Sequence, residues 1–317
     1  METGLHAPID FTRSDSVPLL NGSWERSGRS LNTAAVIGLL GIGVLYFNAQ
    51  SILVVITIGA THLFSGGPDL RGTIFEIMEY LAGPLRAAVV VSQYAFMLLP
   101  TLLLINRWHT AEILAYVRLR RCSPLEILLA ALTTLAMIPA GNWIADFFMR
   151  QLQIPDKLLE INAEIFTSRS PEEFIWLVFV VCLTPAICEE FFFRGFIQRT
   201  FERTMGWKSF ILIGVLFGLF HFQPLGLITL AMLGILFGYF FYRSRSLLPS
   251  MATHFANNFV AILFLYQTHE MQEAGTSGAT AQIPLWLIGA TIPAGLGLLV
   301  LYHRLTHKHH VRKSGIH

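Results

Sequence analysis

Two adjacent acids, followed one helical turn later by an arginine, stand inside an apolar run of this chain, in the stretch Glu189-Glu190-Phe-Phe-Phe-Arg194. Glu190 and Arg194 are four residues apart, so on a helix they share a face and can form an ion pair. Glu189 lies about 100° around the same helix and has no such partner. An acid left alone in apolar surroundings is suited to act as a general base. The alternative is a purely structural charge cluster.

Two histidines follow the acids, and each has an aromatic or amide residue one helical turn away. Phe217 precedes His221 by four residues, and His254 precedes Asn258 by four. His254 and Asn258 therefore share a helix face, and Asn257 points roughly the same way, so spacing does not decide between the two asparagines. Each histidine has a structural alternative, as a core residue or as one partner of a helix–helix hydrogen bond.

Together these residues supply a base, two imidazoles and an amide donor, a set that fits water-dependent acyl cleavage. Glu189, alone or with His221, would deprotonate a water that attacks a carbonyl carbon. His254 and Asn258 would donate hydrogen bonds to the oxyanion that forms. Alternatively, His221 and His254 bind a divalent metal, with zinc as the candidate ion, and Glu189 serves as base or ligand.

The elements that must hold these residues are apolar helices, since 54% of the 317 residues are hydrophobic, 13% are charged and the mean hydropathy is +0.57. A soluble globular domain carries about 25% charged residues, so this composition disfavours one. Apolar runs of about 20 residues, long enough to cross a ~30 Å hydrocarbon core, recur along the chain. We therefore expect an all-α, polytopic membrane protein. Its eight predicted spans are 34–58, 87–106, 124–148, 173–196, 208–223, 225–242, 247–267 and 283–303.

Lysine and arginine alternate between the loops in a way that tests this count, because short cytoplasmic loops collect positive charge. Of the 22 such residues, sixteen fall in the two tails and in the second, fourth and sixth loops. Five fall in the first and third loops, and Arg194 lies within a span. Both termini are thus predicted to face the cytoplasm. The long outer loops 60–86 and 149–172 carry apolar residues at helical spacing, and they fit either short helices on the membrane surface or plain connections.

Depth in the membrane bears on whether the three motifs meet. Glu189 and His254 each lie about seven residues from the cytoplasmic end of their predicted helices, which places both ~10 Å deep. His221 lies about thirteen residues into its helix and is therefore deeper. A tilted fifth helix, or one broken at Pro224, would bring it to the same layer.

The ordered series Glu-Glu-x-x-x-Arg, Phe-x-x-x-His and His-x-x-x-Asn resembles the CAAX-protease and bacteriocin-processing family of intramembrane endopeptidases. The matching residues, within about 173–267, are Glu189, Glu190, Arg194, Phe217, His221, His254 and Asn258. The resemblance implies an eight-helix fold, water activation by Glu189 and His221, and support of the transition state by His254 and Asn258. A glutamate-type and a zinc mechanism both stay open.

We therefore expect an integral, multi-pass endopeptidase of the prokaryotic plasma (inner) membrane that cleaves a membrane-associated or C-terminal peptide substrate. Its expected partners are the lipid bilayer and a peptide or protein substrate, without nucleic acid. Two other classes stay open: a non-catalytic immunity or scaffold member of the same family, and a proton-coupled transporter that uses its buried acid and histidines as a relay. The predicted domains are an N-terminal tail 1–32, a membrane domain 33–303 and a basic C-terminal tail 304–317.

Overall fold

The computed structural model describes residues 18–66, 74–153, 155, 163, 165–222, 226–273 and 284–307, and all regular structure in these ranges is helical. The protein is all-α and polytopic, as predicted. The helices are α1 (Ser23–Ser27), α2 (Leu31–Ser65), α3 (Ile74–Ser92), α4 (Leu99–Trp108), α5 (Ile113–Tyr116), α6 (Pro124–Gln151), α7 (Pro171–Leu177), α8 (Thr184–Glu189), α9 (Arg199–Met205), α10 (Lys208–Phe220), α11 (Leu227–Ser244), α12 (Leu248–Glu273) and α13 (Leu285–Thr306).

Three π-helical segments, in which one backbone turn is widened, link some of these helices without a break. The first, Gln93–Leu98, joins α3 to α4. The second and third, Val178–Leu183 and Glu190–Gln198, join α7, α8 and α9 into one long helix from Pro171 to Met205. This helix carries the acidic motif and continues well beyond its predicted end at 196.

Seven helical stretches in the described part of the chain are long and apolar enough to cross a membrane. The predicted fifth span is the exception, because α10 has 13 residues. At 1.5 Å per residue this is about 20 Å, short of a ~30 Å hydrocarbon core. A helix is therefore present at each of the eight predicted positions. That all eight cross the membrane completely remains a prediction.

The predicted outer loop 60–86 belongs largely to the long helices. α2 continues to Ser65 and α3 begins at Ile74, so neither a separate surface helix nor a plain loop describes this region. The apolar residues at helical spacing that begin at Ile74 are the first turns of α3. Much of the second outer loop, 149–172, lies outside the described residues.

The segments predicted to be cytoplasmic meet at one end of the bundle through charged side chains. Glu202 in α9 accepts hydrogen bonds from both terminal guanidinium nitrogens of Arg118, at 2.7 and 2.8 Å, and pairs with Arg245. Glu25 in α1 pairs with Arg203 and lies 2.6 Å from Nδ1 of His109. These contacts join the N-terminal tail to the second, fourth and sixth loops, in agreement with their predicted placement on one side.

Close packing of α10 against α11 depends on two glycines. A Cβ atom at Gly214 would lie 2.4 Å from the backbone nitrogen of Ile235, and one at Gly234 would lie 2.7 Å from the carbonyl oxygen of Gly214. Only a residue without a side chain permits this backbone approach. The approach brings the Gly234 carbonyl within 3.1 Å of Nη2 of Arg194.

Candidate active site

The three π-helical segments lie where the motif residues meet. Glu189 is the last residue of α8 and Glu190 begins the third segment. Gln93, which contacts Glu189, begins the first segment, and Val181 in the second accepts a bond from Asn258. A π turn interrupts the regular hydrogen-bond ladder, re-aims side chains and is frequent at functional sites.

Glu190 is held by three side chains. Nη1 of Arg194 donates to its Oε1 at 2.7 Å, and Nδ1 of His254 lies 2.8 Å from the same oxygen. Its Oε2 accepts a hydrogen bond from the hydroxyl of Ser250. Glu190 and Arg194 both have fully buried side chains, with 0% exposure, and form the predicted ion pair. Because both of its oxygens are engaged, Glu190 is placed to anchor its neighbours.

The ring of Phe217 connects the three motifs. The guanidinium carbon of Arg194 lies 4.5 Å from its centroid, a favourable cation–π distance. The rings of His221 and His254 lie edge-on to it, with centroids 4.6 and 5.9 Å away. Phe237 stacks on His254 at 5.2 Å. Residues that are far apart in the chain therefore form one buried site.

Glu189 has a different environment from Glu190. Its Oε1 accepts a 3.0 Å hydrogen bond from Nε2 of Gln93. Its Oε2 is buried and has no hydrogen-bond partner among the described residues. The side chain as a whole is 8% exposed. The carboxylate therefore keeps one oxygen for another group, as a general base requires.

His221 caps the short helix α10, which ends at Phe220, ahead of Pro224, a residue outside the described ranges. Its Nδ1 lies 2.7 Å from the carbonyl oxygen of Phe217. A carbonyl only accepts, so Nδ1 carries the hydrogen and Nε2 presents a lone pair when the ring is neutral. The early end of α10 places this ring against Phe217, and this is how it meets the other motifs.

The two asparagines have different surroundings. Nδ2 of Asn258 donates to the backbone carbonyl of Val181 at 2.8 Å, which is the helix–helix hydrogen bond that spacing left open. Oδ1 of Asn258 accepts from Nδ2 of Asn257 at 3.1 Å. A primary amide has two N–H groups, so one donor of Asn258 remains after the bond to Val181. Asn257 thus orients Asn258.

The predicted metal alternative requires donors that converge. The described ranges contain His221, His254 and both acids, yet they hold no group of three or more His, Cys, Asp or Glu side chains that could bind a metal ion. One donor, Glu190, is already engaged by Arg194, Ser250 and His254. This arrangement of the described residues does not fit a zinc centre.

Residues 171–260 match the family model described as type II CAAX prenyl endopeptidase Rce1-like. This segment is therefore similar to the Rce1-like family, which supports the resemblance that the ordered motifs predicted. The matched segment begins at the start of α7 and includes every motif residue from Glu189 to Asn258, although it covers less than a third of the chain. The Rce1-like family is a family of proteases, which supports a peptidase. No curated protein and no solved structure matches the chain.

Three residues of the candidate site were not predicted. Ser250 stands four residues before His254, so helical spacing could have placed it on the same face. Gln93 is a polar residue in an apolar span, a signal that by itself indicates function. Phe237 is one of 25 phenylalanines, and nothing in its spacing distinguishes it.

Proposed function

We propose that this chain is an intramembrane endopeptidase of the CAAX-protease type, which hydrolyses a peptide bond with a water activated by Glu189. The observation that carries the proposal is the open Oε2 atom of Glu189, buried beside an acid that is already engaged. Glu190 and Arg194 neutralise each other, so the neighbouring Glu189 is the acid available for proton transfer.

Glu189 is the proposed general base. Its Oε1 is occupied by Gln93, and its Oε2 is directed to no other group in the described part of the chain. Burial of the carboxylate limits access of bulk water and strengthens its interaction with a single bound water. His221 is the proposed partner of Glu189 in proton transfer, because its Nδ1 is engaged by Phe217 and its Nε2 presents a lone pair that can take up a proton.

His254 and Asn258 are the proposed donors to the oxyanion. The carboxylate of Glu190 lies against Nδ1 of His254 and would stabilise the protonated ring, whose Nε2–H can then donate. The second N–H of Asn258 is available after its bond to Val181. Glu190 and the Val181 carbonyl hold these two donors in place. Little energy is therefore lost to their reorientation when negative charge develops on the oxyanion.

In the proposed reaction, a proton moves from water to Oε2 of Glu189 as the water oxygen bonds to the carbonyl carbon. The negative charge formed on the carbonyl oxygen receives hydrogen bonds from His254 and Asn258. When the C–N bond breaks, the proton held by Glu189 moves to the leaving nitrogen, which yields a carboxyl group and an amine. The step needs no co-reactant besides water.

The proposed substrate is a peptide segment at the membrane, including the C-terminal peptide of a membrane-associated protein. Support comes from the position of the site among apolar helices and from the description of the family as CAAX prenyl endopeptidases. The loop charges support cytoplasmic tails and a site that opens toward the cytoplasm. The resemblance to bacteriocin-processing proteins supports the prokaryotic plasma membrane as the location.

A fluorogenic peptide that ends in a CAAX sequence with a prenylated cysteine tests the proposal in purified membranes. Wild-type membranes should cleave it, and Glu189→Ala should abolish cleavage without lowering the amount of protein. Gly297→Ala is a suitable control, since a Cβ atom there meets nothing within 4 Å. Equal cleavage by wild type and Glu189→Ala would refute the assignment. Comparing protein termini in cells that carry each form would then identify natural substrates.

A further inference from the structure

The side chain of Gln93 reaches Glu189 from a part of the chain that carries no catalytic motif. It begins the first π segment, 96 residues before Glu189, and lies outside the matched segment 171–260. Its side chain is buried, with 4% exposure. Burial of a primary amide in apolar surroundings is unfavourable unless its polar atoms are used. One of them, Nε2, is used by Glu189.

We propose that Gln93 builds the water site together with Glu189. In this assignment its amide nitrogen fixes the carboxylate, and its amide oxygen accepts the second hydrogen of the attacking water. The inference rests on the proposed function, because it assigns a partner to the proposed base.

The direction of the Gln93–Glu189 bond follows from the chemistry of its two groups. A carboxylate only accepts hydrogen bonds, so the amide nitrogen of Gln93 must face Oε1. This leaves the amide oxygen of Gln93 as an acceptor next to the carboxylate. That oxygen and Oε2 of Glu189 are both buried, and neither has a hydrogen-bond partner among the described residues.

The side chains of Gln93 and Glu189 are hydrogen-bonded to each other, and each has one buried oxygen without a partner among the described residues. Two such acceptors match a ligand that donates two hydrogen bonds, and water is the smallest such ligand. The hydrogen directed at Oε2 of Glu189 is the one that is transferred. The hydrogen directed at Gln93 stays on the water oxygen, because a neutral amide takes no proton. Gln93 therefore restricts the rotation of the water and directs proton transfer to Glu189.

The first long helix encloses this pair. Tyr46 of α2 is buried, lies beside Gln93 and Ser92, and is within electrostatic reach of Glu189. The water site would then be formed jointly by the Rce1-like segment and by helices that precede it. This gives the N-terminal spans a role in the chemistry as well as in membrane anchoring.

The activity test uses Gln93→Met, which keeps a similar volume and removes both the donor and the acceptor. With the prenylated CAAX peptide, kcat should fall by about 100-fold because the water and base lose their orientation, while KM stays near the wild-type value. Gln198→Met is the matched control. Gln198 is also a fully buried glutamine, and it donates to the Gly238 carbonyl at 2.9 Å, away from the acids. This control should retain the wild-type kcat.

Exchanging the carboxyl and amide groups of Glu189 and Gln93 provides a second test, which measures thermal stability and needs no activity assay. Gln93→Glu places two carboxyl groups in contact, and the two cannot both be ionised at that distance. Its thermal unfolding temperature should therefore lie below that of the wild type at pH 8, and the difference between the two proteins should shrink on acidification. The double variant Gln93→Glu/Glu189→Gln restores a pair of one amide and one carboxylate, and it should unfold near the wild-type temperature.

Three results would overturn the inference. These are wild-type kcat in Gln93→Met, equal losses of kcat and stability in Gln93→Met and Gln198→Met, or a double variant as unstable as Gln93→Glu. Failure of the proposed function has a different signature, because Glu189→Gln would then cleave the peptide normally whatever residue stands at position 93.

Discussion

His254 and Glu190 are 64 residues apart in the chain, and Nδ1 of His254 lies 2.8 Å from Oε1 of Glu190. The same oxygen accepts from Arg194 at 2.7 Å. One carboxylate oxygen thus fixes both the arginine one turn along its own helix and the histidine of another helix. This relationship makes Glu190 the anchor of the site and leaves its neighbour Glu189 as the proposed base.

Loss of the Glu190 charge should destabilise the fold strongly. Glu190→Gln leaves the buried guanidinium of Arg194 without a counter-charge, and breaking a buried pair in this way costs about 3–5 kcal/mol. Asp146→Asn is the matched control, because Asp146 and Arg150 have the same i,i+4 spacing at an exposed position. Its cost should be below about 0.5 kcal/mol. Unfolding in detergent measures both, and similar stability of the two variants would contradict the anchoring role.

The two neighbouring asparagines should contribute unequally to catalysis. Asn258→Leu removes the proposed oxyanion donor, and kcat should fall by about 100-fold or more. Asn257→Leu removes only the group that orients Asn258, so its loss should be smaller, about 10-fold or less. Steady-state cleavage of the same peptide by both variants decides the order. Equal losses of kcat in the two variants would contradict the assignment of Asn258 as the donor and of Asn257 as the residue that orients it.

Acidification should loosen the attachment of α1 to the end of the bundle that is predicted to face the cytoplasm. Burial lowers the pKa of His109 below its usual value of 6.5. Glu25, which lies against the ring, raises this pKa without reversing the shift, and the positive charges of Arg203 and Arg199 lower it further. The folded protein therefore binds fewer protons than the unfolded one as pH falls below 6.5, and its stability decreases. Burial alone would raise the pKa of Glu25, but Arg203 and His109 hold it below 4.5, so a second loss begins under that pH.

Thermal unfolding at pH 7.5 and pH 5.5 measures this effect. The wild-type protein should unfold at a lower temperature at the lower pH, and His109→Gln, which cannot titrate, should show a smaller difference. An equal pH dependence in the two proteins would mean that protonation of His109 contributes nothing.

Chelators should leave cleavage intact. The candidate metal ligands His221 and His254 do not form a group of three or more donors with any acid in the described ranges, and the proposed water activation relies on Glu189. Activity should therefore survive prolonged treatment with EDTA or 1,10-phenanthroline. Loss of activity that returns on addition of zinc would contradict the glutamate mechanism and would place the histidines on a metal.

The sequence predicted the helical architecture because apolar runs of sufficient length have few other solutions in a membrane. The spacing of Glu190 and Arg194 also predicted their ion pair, since residues four apart on a helix are neighbours. The end of α10 at Phe220 was harder to foresee. Phe222 and the apolar run that begins at Leu225 follow it closely, so hydropathy places the boundary later, at 223.

The long-range partners in the site could not be predicted from one sequence. The contact of Gln93 with Glu189 depends on how two long helices pack. Gln93 begins one π segment and Glu189 directly precedes another, and a widened turn leaves no spacing pattern. The carbonyl of Val181, which accepts from Asn258, lies in another such segment. Helical periodicity assumes a regular turn, and it is this assumption that fails around the site.

The single-turnover rate of peptide cleavage by Glu189→Gln tests the central claim most directly. This variant keeps the size of the side chain and removes its capacity to take a proton. The rate should be lower than that of wild type by about 10²–10⁴-fold, with the thermal unfolding temperature close to that of wild type. A Glu189→Gln protein that cleaves the prenylated CAAX peptide at the wild-type rate would contradict this claim.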